Sequence, residues 1–95
     1  MTVKIVRLNT GEELLCDVKE SHDGYYHLTD VAIIIPTQEN TLALMPFMPY
    51  SVIKQVGIKV SKENVMFTVE PHADLMNRHK EIYSKLVLPN SGLVS

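Results

Sequence analysis

The sequence predicts a mainly β fold: a strongly bent, five-stranded antiparallel sheet curled into a small barrel, followed by one C-terminal α-helix. Three observations predict it. Short runs of apolar residues alternate with polar ones at a period of two. Polar turn segments separate those runs, two of them carrying glycine. After Pro71 the apolar period lengthens to that of a helix. Short turns between neighbours make the sheet antiparallel, and strands this short favour a curled sheet.

Val3–Leu8 alternates Val3 and Ile5 with Lys4 and reads as the first strand. Asn9, Thr10, Gly11 and Glu12 form a turn in which Gly11 takes positive φ without steric cost. Leu14, Cys16 and Val18 then share one face, with Asp17 and Lys19 on the other. Thr10 and Glu13 also match a helix capping box, but the period of two decides for a strand. Ser21-His22-Asp23-Gly24 is the second turn.

Tyr25–Ile35 is a long strand rich in Tyr, Val and Ile. Its apolar set changes sides around Asp30, so a bend or bulge is expected there. Pro36 ends it, and Thr37–Asn40 is a polar turn. The apolar stretch from Thr41 is broken by Pro46 and Pro49, which places it at an edge, at a kink or outside the sheet. Val52–Val60 alternates, with Val52, Val56, Ile58 and Val60 inward and Ile53, Gln55, Gly57 and Lys59 outward. After a turn at Ser61–Asn64, Val65, Phe67 and Val69 alternate with Met66, Thr68 and Glu70.

Pro71 suits the first turn of a helix. Leu75, Met76, His79, Ile82, Tyr83 and Leu86 make its apolar stripe, and Asp74 and Lys85 complement its dipole. The chain therefore reads as one domain over residues 1–95, with strands over about 3–70, a helix over about 72–86 and a frayed tail over 87–95.

With 95 residues, the domain has a modest core. No apolar run approaches the ~20 residues that span a bilayer, and no leader pattern opens the chain. The lone Cys16 excludes an internal disulfide and fits a reducing compartment, so a cytoplasmic protein without membrane partners is expected. Nine Lys/Arg against eleven Asp/Glu leave a net charge of −2, unlike a protein that binds nucleic acid by blanket phosphate neutralisation. Any such contact must be a local site or a patch built by oligomerisation.

Catalytic signals are missing. The four histidines and single cysteine give no zinc-ligand spacing, and His72 and His79 read as helix residues. Cys16 alternates with Leu14 and Val18 and reads as a buried, inert thiol. No nucleophile elbow, phosphate-binding loop or dinucleotide fingerprint occurs. The expectation is a non-enzyme without cofactor, metal or small-molecule substrate. Met45–Tyr50, Met-Pro-Phe-Met-Pro-Tyr, is either a loop folded over the core or an apolar patch buried by another copy of the chain.

Leu8-Asn9-Thr10-Gly11, Leu14 and, one strand later, Asp23-Gly24-Tyr25-Tyr26-His27-Leu28 resemble the first signature of the Sm/LSm family. Val60-Ser61-Lys62-Glu63-Asn64-Val65 sits where the second signature, Ile-Arg-Gly-x-x-Ile, falls. The likeness covers about residues 3–70. With its C-terminal helix, the chain is also similar to small Sm-like proteins of marine bacteriophages.

The resemblance implies a homo-oligomeric ring closed by edge-strand pairing, Val52–Val60 of one copy against Val65–Val69 of the next. The interface would draw on Met45, Phe47, Val56, Ile58, Val65 and Phe67. It further implies single-stranded RNA at the pore. Tyr25 takes the family's base-stacking position, His27 that of the base-reading Asn, and Asp23 that of the orienting acid. Ser61 stands where the family has Arg, and Lys62 where it has Gly; Lys62 replaces the charge but not the stacking plane. Two functions follow: a ring that binds RNA, or an oligomeric protein-interaction or assembly module that binds none.

Overall fold

The computed structural model describes residues 2–38 and 40–83. Its elements are β1 (Val3–Leu8), β2 (Glu13–Glu20), β3 (Tyr25–Pro36), β4 (Leu42–Pro46), a single-turn helix α1 (Ile53–Val56), β5 (Ile58–Ser61), β6 (Val65–Val69) and α2 (Ala73–Tyr83). A 3-10 turn, Lys62–Asn64, joins β5 to β6. The expected residues of the helix beyond Tyr83, and the tail, lie outside the described residues.

All pairings are antiparallel. The strand order is β4-β3-β2-β1-β6, and β5 pairs with β3 off this path. β3 is long enough to serve two partners along one edge: Ala32–Pro36 meets β4, and Tyr25–Leu28 meets β5. The break between them lies at Asp30. Leu15 stands opposite Ala32 and Asp17 opposite Thr29, so Asp30 and Val31 together face Cys16. Asp30 adopts φ +50°, a left-handed conformation that Asp tolerates better than bulky residues. The expected bend is thus a bulge that turns β3 across the core.

The core forms around Val6, Leu14, Cys16, Leu28, Val31 and Ile53. Leu14 and Leu28 are fully buried, and each such side chain contributes about 1.5–3 kcal/mol of transfer free energy. Helix α2 is fastened over the bulge: His79 Nε2 donates to the Asp30 carbonyl (2.8 Å), and the Tyr83 hydroxyl donates to the Val31 carbonyl (3.0 Å). Both carbonyls lie at the bulge; that of Val31 also accepts from Phe47 N–H (3.1 Å), so the helix adds a second bond there.

Two expectations are corrected. The sheet does not close into a barrel: β5 and β6 are sequence neighbours but hydrogen-bond to β3 and β1 respectively, not to each other. The 3-10 turn between them is held elsewhere. Lys62 N–H donates to the Gly24 carbonyl (3.0 Å), and Asn9 N–H donates to the Asn64 carbonyl (2.8 Å). Nor is Val52–Val60 one strand. The Ile53 N–H bonds to Ser51 Oγ at 3.2 Å, opening a helical turn, and Gly57, at φ +78°, lets the chain leave it. Ile53 is consequently buried, while Val52 and Val56 are 65% and 60% exposed, the reverse of the alternating assignment.

Candidate functional site

Three chain reversals converge at one end of the sheet. The β1–β2 turn, the β2–β3 turn and the 3-10 turn are tied together by the Asn9 and Lys62 backbone bonds, and Asn9 Nδ2 adds a bond to the Glu63 carbonyl (2.8 Å). Between them opens a shallow cleft of about 530 Å³, lined by Asn9, Thr10, Tyr25, Lys59, Ser61 and Asn64 over the Leu8 and Val60 side chains.

Tyr25 and Tyr26 define the two faces of this end. Neighbouring residues of a strand point oppositely; Tyr25 stands across from Ser61 and Tyr26 from Val60. Tyr25 is 38% exposed in the cleft, whereas Tyr26 packs against the core. Each ring is capped by a lysine, and each lysine is held by an acid. Lys59 Nζ lies 4.9 Å from the Tyr25 ring centroid and 2.9 Å from Asp23 Oδ2. Lys62 Nζ lies 5.4 Å from the Tyr26 centroid and is paired with Glu20. Both are cation–π contacts at solvent-accessible positions, where such contacts are modest.

The Asp23 carboxylate is anchored twice. Ser21 Oγ donates to Oδ1 and Lys59 to Oδ2. These hydrogen bonds favour the ionised form and hold Asp23 down to about 2, Ser21 contributing most. The same pairing pushes Lys59 up, with Asp23 as the first cause. Glu20 is lowered and Lys62 raised by their mutual hydrogen bond.

The residues singled out from the sequence thus separate. Tyr25 and Ser61 come together in the cleft, with Asp23 reaching it through Lys59. Ser61 Oγ accepts from Glu63 N–H (3.2 Å) and caps the 3-10 turn. His27 shares Tyr25's parity but lines a neighbouring hollow with Asp17, Lys19 and Thr29. Its Nε2 donates to the Val56 carbonyl (3.1 Å), so the ring fastens α1 to β3. Lys62 lies on the Tyr26 face, away from the cleft. Lys59, not Lys62, is the lysine that lines the cleft. Its register opposite His27 carries that information, but a Val52–Val60 strand read simply as outward-facing at Lys59 gives no sign of a cleft.

The interface residues separate as well. Met45, Val56 and Phe67 are exposed, while Phe47, Ile58 and Val65 pack against the core. Among the described residues no three His, Cys, Asp or Glu side chains group as metal ligands, and no helix is long and apolar enough to cross a membrane. The cleft offers an aromatic face, an ammonium and short polar side chains, which suits stacking and edge hydrogen bonding of a planar ligand.

Comparison with protein-family models and with curated proteins returns no match to this chain.

Proposed function

We propose that this chain is a ring-forming Sm-like protein, non-catalytic, whose copies associate through β5 and β6 and present the Tyr25 cleft to single-stranded RNA. The observation that carries the proposal is β6. One of its edges pairs with β1, and the other has no strand partner among the described residues. Along that edge Met66, Phe67 and Val69 are 60%, 44% and 44% exposed, so both faces of the strand are apolar. An open, apolar edge strand invites pairing with another chain.

The complementary edge belongs to β5, which among the described residues pairs with β3 alone and lies beside the exposed Val56. Head-to-tail association of unlike edges generates a ring when the rotation closes. The outer strand β4 is a weaker candidate, because Arg78 of α2 already donates to the Leu42 carbonyl there (3.1 Å). The C-terminal helix is the feature that the resemblance to small bacteriophage Sm-like proteins shares with this fold.

Light scattering and native mass spectrometry test the assembly: a closed oligomer of one size is expected, and a monomer at micromolar concentration overturns it. Anisotropy with labelled oligo(U) and oligo(A) tests the cleft, where Tyr25→Ala should abolish binding. A second reading, an assembly module without RNA binding, is favoured by charge. Ser61 replaces the family's Arg, the whole chain carries −2, and Lys59 and Lys62 are each neutralised by a carboxylate. An oligomer that retains neither RNA would establish that reading.

A further inference from the structure

We infer that Lys59 is the cation of the RNA site and that Asp23 masks it in the free protein until a backbone phosphate displaces the carboxylate. The inference rests on the RNA reading of the cleft and adds to it the residue that supplies the charge and the contact that withholds it.

Lys62 cannot fill this place from where it lies, since its ammonium sits over Tyr26 on the other face and is paired with Glu20. Lys59 lines the cleft itself and stands over the exposed ring at 4.9 Å. Its partner holds it there: the Asp23 carboxylate is fixed by Ser21, so the ammonium is kept between ring and carboxylate.

This arrangement blocks two things at once. The ammonium covers one face of Tyr25, where a base would stack, and its charge is spent on Asp23. Both lysine and aspartate side chains are more than half exposed, at 56% and 51%, so the pair exchanges readily with solutes. An exposed ion pair of this kind is weak, and a phosphodiester offers the same charge, also on two oxygens, for a charge-assisted hydrogen bond. When Lys59 turns from Asp23 to a phosphate, the ring face opens to the adjoining base. Stacking and phosphate pairing are therefore coupled, and the ligand that satisfies both is a single strand, whose bases are free of a duplex partner.

The test is anisotropy of labelled oligo(U) and oligo(A) with four variants, each checked for fold by thermal melting and for assembly by light scattering. Asp23→Asn should tighten binding about two- to fivefold, the range an exposed ion pair sets. Lys59→Gln should weaken it by at least as much. The double variant should match Lys59→Gln alone, because Asp23 acts only through Lys59. Lys4→Gln, the same charge lost beyond the cleft, should leave binding near wild type. Binding that is unchanged in Lys59→Gln, or weakened in Asp23→Asn, overturns the inference while leaving the RNA reading standing. Absence of binding by both the wild type and Asp23→Asn overturns the RNA reading and this inference with it. Binding gained only in Asp23→Asn supports both.

Discussion

The His79 imidazole donates from Nε2 to the carbonyl oxygen of Asp30 across 2.8 Å, joining the C-terminal helix to the one point where β3 leaves its ladder. His79 is 5% exposed, and the ring stacks at a tilt against Tyr83, 4.8 Å between centroids. The bulge and the helix therefore depend on each other. His79→Ala leaves the Asp30 carbonyl without its donor and opens a void, and should cost about 2–4 kcal/mol in urea unfolding. Asp30→Gly should stay within about 0.5 kcal/mol of wild type, while Asp30→Val, β-branched at positive φ, should cost more than about 1 kcal/mol.

Gly57 is held at φ +78° beneath β3, and a Cβ there would stand 2.5 Å from the Leu28 carbonyl oxygen and 3.0 Å from His27 Nε2. Gly57→Ala must push the α1 segment off the strand and should destabilise by more than about 2 kcal/mol. Gly24, also at positive φ, faces open space. Its Ala variant meets only the backbone penalty, about 1–2 kcal/mol. Parallel chemical denaturation of the two variants measures the difference.

If β6 is an interface between copies, Met66→Lys should dissociate the oligomer without lowering the melting temperature of the monomer. Met66 is 60% exposed and leaves the core intact. Phe47→Asp behaves differently: Phe47 packs against the core, so it should unfold the chain, at a cost of several kcal/mol. Light scattering with thermal melting separates the two outcomes.

Burial pushes the Cys16 thiol up to about 12, with the Asp17 charge adding to the effect. The thiolate is the reactive form. Native protein should therefore resist disulfide-exchange reagents at mildly alkaline pH and react at once when denatured. Immediate stoichiometric labelling of the folded chain would contradict the buried assignment.

The carboxylates Asp23, Glu20 and Glu12 are all held below their ordinary values, Asp23 from 3.8 to about 2. A depressed folded value means that the stabilisation is fully present above the unfolded value and is lost as pH falls through the folded one. Stability should accordingly decline below about pH 4 and continue declining to about pH 2. All three groups are exposed, so solvent screening keeps the change small. In Asp23→Asn the acid limb should be shallower. Lys59 and Lys62, raised by their acids, contribute in the opposite sense, losing their share only as pH rises above 10.5.

Much of this architecture is legible along the chain because its signals are local. Gly11 and Gly24 sit at positive φ in the turns where they are expected. The parity switch at Asp30 is the bulge, and Pro46 ends an edge strand. The opposition of Tyr25 and Tyr26 follows from the strand period alone. Val52–Val60 was misleading, because a single helical turn closed by glycine can carry valines at the same spacing as a strand. A run of four helical residues has too few turns to reveal its period.

The site divides in the same way. Alternation gives Tyr25 and His27 a common parity, and a turn sequence marks Asp23 and Ser21 as exposed polar groups, but only the pairing of β5 with β3 sets Ser61 across from Tyr25. Which lysine meets which tyrosine is settled only when β5 is laid beside β3 rather than against β6. That choice depends on hydrogen bonds between residues far apart in sequence, such as Lys62 to Gly24 and Asn9 to Asn64. Outside Val52–Val60 the sequence by itself determined strands, turns and the helix after Pro71, since backbone conformation answers to near neighbours. Tertiary structure decided which lysine lines the cleft, which strand edges lack a partner among the described residues, and the helix clasp at Asp30, because these arise where distant segments must satisfy one another's backbone groups and charges.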